Sequence, residues 1–125
     1  MTLDRKLLGA AGERAAAAAL RRSGYRILKR NYTCPVGEID IIARRGKLIV
    51  FVEVKTRVSD IHAHPMDNIT YTKKRHIVRT AKHYLREIKS PDVEYRFDVV
   101  TVVWGTGRKP EKLEHHEAAF EESRM

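Results

Sequence analysis

Residues 37–55 read GEIDIIARRGKLIVFVEVK, and the fold is decided in this stretch. Two apolar runs, GEIDIIA and KLIVFVEVKT, flank Arg44-Arg45-Gly46-Lys47, which is the spacing of a β-hairpin. With the turn centred between Gly46 and Lys47, paired residues have numbers summing to 93. Ile42 then faces Phe51, Asp40 faces Glu53 and Glu38 faces Lys55. On the other face Ala43 meets Val50, Ile41 meets Val52 and Ile39 meets Val54. A one-residue slip would scramble this matching of apolar with apolar. Both faces are apolar near the turn, so the sheet must be covered on two sides. Far from the turn, one face breaks into Glu38, Asp40, Glu53 and Lys55.

Two carboxylates set directly opposite each other destabilise a sheet unless a cation sits between them. Mg²⁺ or Mn²⁺ would remove that repulsion, because such ions take one or two carboxylates and fill the rest of their shell with water and substrate phosphate. Asp40 and Glu53 are therefore candidate metal ligands, and the backbone carbonyl of Val54 is a third oxygen between Glu53 and Lys55. Lys55 puts an ammonium on the same face, placed to orient a metal-held water or to stabilise charge on an attacked phosphate. Glu38 lies on the side from which phosphate would approach. The alternative is a polar strand end in which Glu38 and Lys55 simply pair and reach solvent.

Working outward, residues 3–23 are rich in Ala, Leu and Arg and are followed by Gly24, which predicts a helix and its stop. Glu13 shares a stripe there with Gly9, Ala16, Ala17 and Leu20, the small-residue face suited to pack on a sheet. A carboxylate on that face needs a partner, so Glu13 is a further candidate ligand; the alternative is an exposed Glu beside an Arg. Residues 25–33 predict a short strand and Asn31–Gly37 a turn. Residues 57–70, with His62, His64 and Pro65, read as a loop. Residues 71–89 carry apolar groups at helical spacing, and residues 95–104 predict a long strand. The expected product is one α/β domain with a mixed sheet flanked by helices, spanning residues 1–110, with residues 111–125 as an acidic tail holding at most one short element.

Charge points to the partner. The chain has 125 residues and a net charge of +9, unevenly spread. Residues 1–90 hold 20 bases and 8 acids, whereas residues 111–125 hold 2 and 5. A basic body of this kind is the footprint of a polyanion binder, nucleic acid before membrane. The second helix concentrates bases, and Lys73 and Arg75 lie nearest the loop that leaves the carboxylate strand. Tyr71 and Tyr84 could stack on bases, but apolar packing is expected of both. Asp98, within an apolar strand, is expected to pair with Arg96 or a backbone group. The histidines lack the spacing of a metal box, and His115-His116 are expected to be exposed. One cysteine excludes an internal disulfide, and no run of 18 apolar residues or secretory leader is present, so a cytoplasmic protein is expected.

The ordered set GERAAAAAL, SGYRIL, GEIDIIA, LIVFVEVKTR, TKKRHIVRTAKHYL and RFDVV resembles the YraN family of small bacterial proteins over roughly residues 8–103. That resemblance implies a restriction-endonuclease-like fold, similar to that of archaeal Holliday junction resolvases. It implies that Asp40, Glu53 and Lys55 match the acid–acid–lysine core of that nuclease superfamily, that Glu13 matches the helical glutamate of the resolvase-like members, and that Lys73 matches a lysine opening the second helix. Ile39 stands where many of those nucleases have proline, and the loop HAHPMDNI departs from their glycine-containing form. The expected activity is Mg²⁺- or Mn²⁺-dependent phosphodiester hydrolysis, on DNA rather than RNA, by a protein that could work as a two-fold dimer. The rival is a non-catalytic nucleic-acid-binding protein that retains the fold.

Overall fold

The computed structural model describes residues 5–59, 69–90 and 92–122, so most of the predicted 57–70 loop, including His62, His64 and Pro65, lies outside the described residues. The elements in chain order are α1 (Arg5–Arg22), β1 (Arg26–Cys34), β2 (Gly37–Arg45), β3 (Leu48–Val58), α2 (Tyr71–Ile88), β4 (Glu94–Trp104) and β5 (Pro110–Phe120). The strands lie side by side in that same order. β1, β2 and β3 are antiparallel, β3 and β4 are parallel, and β5 is antiparallel to β4. A parallel pair needs a long crossover, and α2 supplies it. The result is the mixed sheet flanked by helices of a restriction-endonuclease-like α/β domain.

Both helices end or begin as local chemistry dictates. Gly24 has φ +91°, and its N–H donates to the Arg21 carbonyl while the Tyr25 N–H donates to that of Leu20, each at 3.0 Å. This is a Schellman stop, with Leu20 and Tyr25 meeting in one apolar cluster. Thr70 caps α2 by accepting from the Lys73 N–H at 3.1 Å.

The sheet is covered on two faces, as the hairpin pattern requires. Beneath α2 lie Ile39, Ile42, Ile49, Phe51, Phe97 and Val99, packed against Ile77, Ala81 and Tyr84. Beneath α1 lie Ile41, Ala43, Val50, Val52, Val100 and Val102, packed against Ala16, Ala17 and Leu20. The alanines of α1 are explained by proximity: a Cβ on Gly12 would fall 1.9 Å from Thr56 Oγ1. Gly9, by contrast, is exposed with open space around it, so Gly12 takes the contact role expected of Gly9.

Three expectations change. The 31–37 turn shrinks to Pro35-Val36, since Cys34 pairs with Gly37 and β1 runs through Asn31 with that residue at φ +52°. The acidic tail is no appendage: residues 110–120 form a full edge strand on β4. The hairpin register holds from Arg45–Leu48 to Ile41–Val52 and then stops, so Asp40–Glu53, Ile39–Val54 and Glu38–Lys55 are not rungs. Ile39 packs beneath α2, on the face opposite to Ile41. The alternation slips at Asp40, which lies opposite Asn31 between the Arg30–Ile41 and Tyr32–Ile39 rungs. Asn tolerates positive φ, and its conformation marks the same local break on β1.

Candidate functional site

β2 and β3 part after Ile41–Val52, and the fork between them gathers the predicted acids. Asp40, released from the ladder, uses its side chain instead: Oδ2 accepts the Val54 N–H at 2.8 Å. In an extended strand a residue's N–H and C=O point to the same side, so the Val54 carbonyl also faces the fork rather than β4. Glu53 is only 6% exposed. Its Oε1 lies 3.4 Å from Lys73 Nζ at the start of α2.

The electrostatics follow from burial with too few partners. Desolvation, then the Asp40 charge, pushes the Glu53 carboxyl up to about 7, against the pull of Lys73 and Lys55. Desolvation likewise raises Asp40, opposed by the Val54 N–H, by Lys73 and by a hydrogen bond with Glu53. Glu13 is raised by burial and by the Asp40 charge. One of its oxygens, Oε1, is buried without a hydrogen bond among the described residues, although Arg30 Nε stands 3.7 Å away. Carboxylates that hold protons against their ordinary values in a cleft mark a candidate site.

A cavity of about 610 Å³ opens at the fork, lined by Leu8, Gly9, Glu13, Asp40 and the free edge of β3 from Val54 to Val58. Lys55 is half-buried in that lining. Glu38 is exposed, and its charge still reaches Asp40 and Glu13. Lys73, a candidate nucleic-acid contact, stands against Glu53. Arg75 is elsewhere: two residues on is about 200° around the helix, and its guanidinium lies over the Tyr71 ring at 5.8 Å. Tyr84 is core, but Tyr71 is 56% exposed rather than packed.

Arg57 was not singled out by sequence, yet it lines the cavity, and its Nε is buried without a hydrogen-bond partner among the described residues. The signal was the strand period, which continues from Glu53 through Lys55 to Arg57. Asp98 pairs with Arg96 as expected, but His115 is not exposed: its Nε2 lies 2.7 Å from Asp98 Oδ2. Among the described residues no three His, Cys, Asp or Glu side chains converge tightly enough to enclose a cation by themselves. No helix among them is long and apolar enough to cross a membrane.

Residues 12–102 match the family described as "Uncharacterised protein family UPF0102". A UPF0102 protein of Geobacter metallireducens is 45% identical over 121 residues, covering 97% of this chain and 98% of the relative. UPF0102 proteins of Caldicellulosiruptor saccharolyticus and Moorella thermoacetica are 47% and 48% identical, covering 80% and 82% of this chain and 85% of each relative. With the motifs, the sheet and these matches in agreement, the chain belongs to the UPF0102 family, the YraN family that its sequence resembles.

Proposed function

We propose that this protein is a Mg²⁺- or Mn²⁺-dependent phosphodiesterase of nucleic acids, endonuclease-like and resolvase-like, acting on DNA in the cytoplasm. The observation that carries the reading is the fork: buried strands deliver Asp40 and Glu53 to one place with less positive charge than two carboxylates need. The residues fit a divalent ion. Asp40, Glu53 and the Val54 carbonyl would hold it, and Glu13 Oε1, which has no hydrogen-bond partner among the described residues, would hold a water of its shell. Few protein oxygens and an open cavity suit Mg²⁺, which keeps waters and binds phosphate. When bound, such an ion supplies Lewis-acid stabilisation and an acidified water.

The protein's own groups do the rest. Lys55, lining the cavity, orients the attacking water or stabilises negative charge on the phosphate. Arg57 offers a donor to a phosphate oxygen. Lys73 screens Glu53 and keeps it available as a carboxylate. The +9 chain draws the polyanion in. A two-fold dimer would set two forks against two strands.

The test is a cleavage screen on duplex, nicked, single-stranded and four-way DNA, with and without Mn²⁺. Cleavage that needs the metal and disappears in Lys55→Ala and Glu53→Gln is expected. Binding of DNA without cleavage of any form would leave a non-catalytic binding protein.

A further inference from the structure

The outer side of α2 carries charge that the fork does not use. Tyr71, Arg75, Arg79 and Lys82 line a cleft of about 430 Å³ with Val78 and Glu122. Spacings of three and four put these side chains on one stripe of the helix. The three bases are exposed, and like charges so placed repel one another. Arg75 rests over Tyr71, and Arg79 makes no ion pair among the described residues.

The anion that answers this stripe is the chain's own. Glu122, just past β5, forms an ion pair with Lys82, and its Oε2 accepts the Tyr95 hydroxyl at 2.6 Å. These two partners hold its carboxyl below the usual range. Both partners are substantially exposed, so the hold is weak.

We propose that this cleft is an anion subsite for the phosphodiester backbone of a nucleic acid, and that Glu122 occupies it as an internal competitor. The inference rests on the nucleic-acid reading above. A carboxylate and a phosphodiester each present two charged oxygens to an ammonium, but a strand carries successive phosphates and so can engage Arg75 and Arg79 as well as Lys82. The exposed Tyr71 ring beside them offers a face on which a base can stack. A strand bound here displaces Glu122, so the acid lowers affinity without closing the site.

The test is the affinity of the full chain for labelled duplex and single-stranded DNA, read by fluorescence anisotropy across a salt series. Glu122→Gln should tighten binding roughly fivefold, whereas Glu111→Gln, the same charge change outside the cleft, should give less than about twofold. Tyr95→Phe alters no charge but frees Glu122, and should tighten binding about twofold. Adding Arg75→Ala with Arg79→Ala should erase the Glu122→Gln gain and reduce the salt slope by roughly 1–2. Equal responses to Glu122→Gln and Glu111→Gln, or no response to Tyr95→Phe, would overturn the subsite while leaving the fork untouched. If even the wild type binds no DNA, the subsite and the nucleic-acid reading fall together.

Discussion

Asp98 on β4 and Glu53 at the fork, beside half-buried Asp40, are buried carboxylates of one sheet, yet Asp98 is held at about 2 while Glu53 is pushed to about 7. Burial opposes charge in both places; the partners differ. Asp98 is wholly buried and receives Arg96 Nε and Nη2 at 2.7 Å each, the Ala118 N–H at 3.0 Å and His115 Nε2 at 2.7 Å. Arg96 is itself steadied by the Tyr25 hydroxyl at 3.0 Å. The β4–β5 ladder shifts register at Asp98, and Ala118 takes φ +50°, which frees the N–H that Asp98 then satisfies. The fork pair has the Val54 N–H and a lysine at 3.4 Å. A buried acid with a full set of donors is a fastener. One left short of positive charge is poised for a ligand.

The largest test of this contrast is removal. Asp98→Ala strands Arg96 and His115 without their anion and unlatches β5, and should cost roughly 3 kcal/mol or more in chemical denaturation. Asp40→Asn keeps an acceptor for the Val54 N–H and removes one of two repelling charges. At pH 8 and without metal it should be neutral or stabilising by about 1 kcal/mol. A comparable loss in both variants would erase the distinction between fastener and site.

Next in size is the pH profile, in which the two clusters pull in opposite directions. Asp98 is depressed in the folded state, so its contribution is complete above about pH 4 and is lost as pH falls toward 2. Glu53 is raised, so the folded state binds its proton more tightly. Stability without metal should therefore fall as pH rises from the ordinary glutamate range through about 7, by on the order of 2 kcal/mol. Glu53→Gln should flatten that upper limb and leave the acid limb alone, as read by denaturant midpoints at each pH.

Metal sharpens the contrast further. Mn²⁺ at about a hundredfold excess over its Kd should stabilise the wild type by about 2.7 kcal/mol, and Asp40→Asn should abolish the gain. The smallest expected effect distinguishes neighbours on α2. Lys73→Ala removes a charge that lowers both fork acids and should move the upper limb of the pH profile to higher pH by under about one unit. Arg75→Ala, on the other side of the helix, should leave that limb unmoved.

Much of this was legible because strand alternation is a strong local constraint. The GEID and VFVEVKT runs carried the hairpin, its register near the turn and the covering of both faces. Gly24 marked the end of α1, and the 71–89 periodicity gave α2 to within a residue. The fork is harder to read, since numbering alone makes Asp40 and Glu53 a rung. Their proximity survives because Asp40 leaves the ladder and spends its side chain on Val54, a change that a positive φ at Asn31 accompanies. The sequence predicts a turn at Asn31 because turns and left-handed backbone share a preference for Asn.

By itself the sequence determined the local elements, the pairing of the hairpin and the membership of Asp40, Glu53 and Lys55 in one strand-borne group, because periods of 2 and 3.6 are written into which residues must avoid water. Only the tertiary structure decided which charges meet across long separations. It set Lys73 rather than Arg75 against Glu53, turned residues 110–120 into an edge strand, and closed Asp98 with Arg96, His115 and Ala118. It also laid Glu122 against the bases of α2. The physical reason is that a charged residue has no periodic signature of its own. Its role depends on whether folding surrounds it with enough partners, and that count exists only once distant strands and helices have packed.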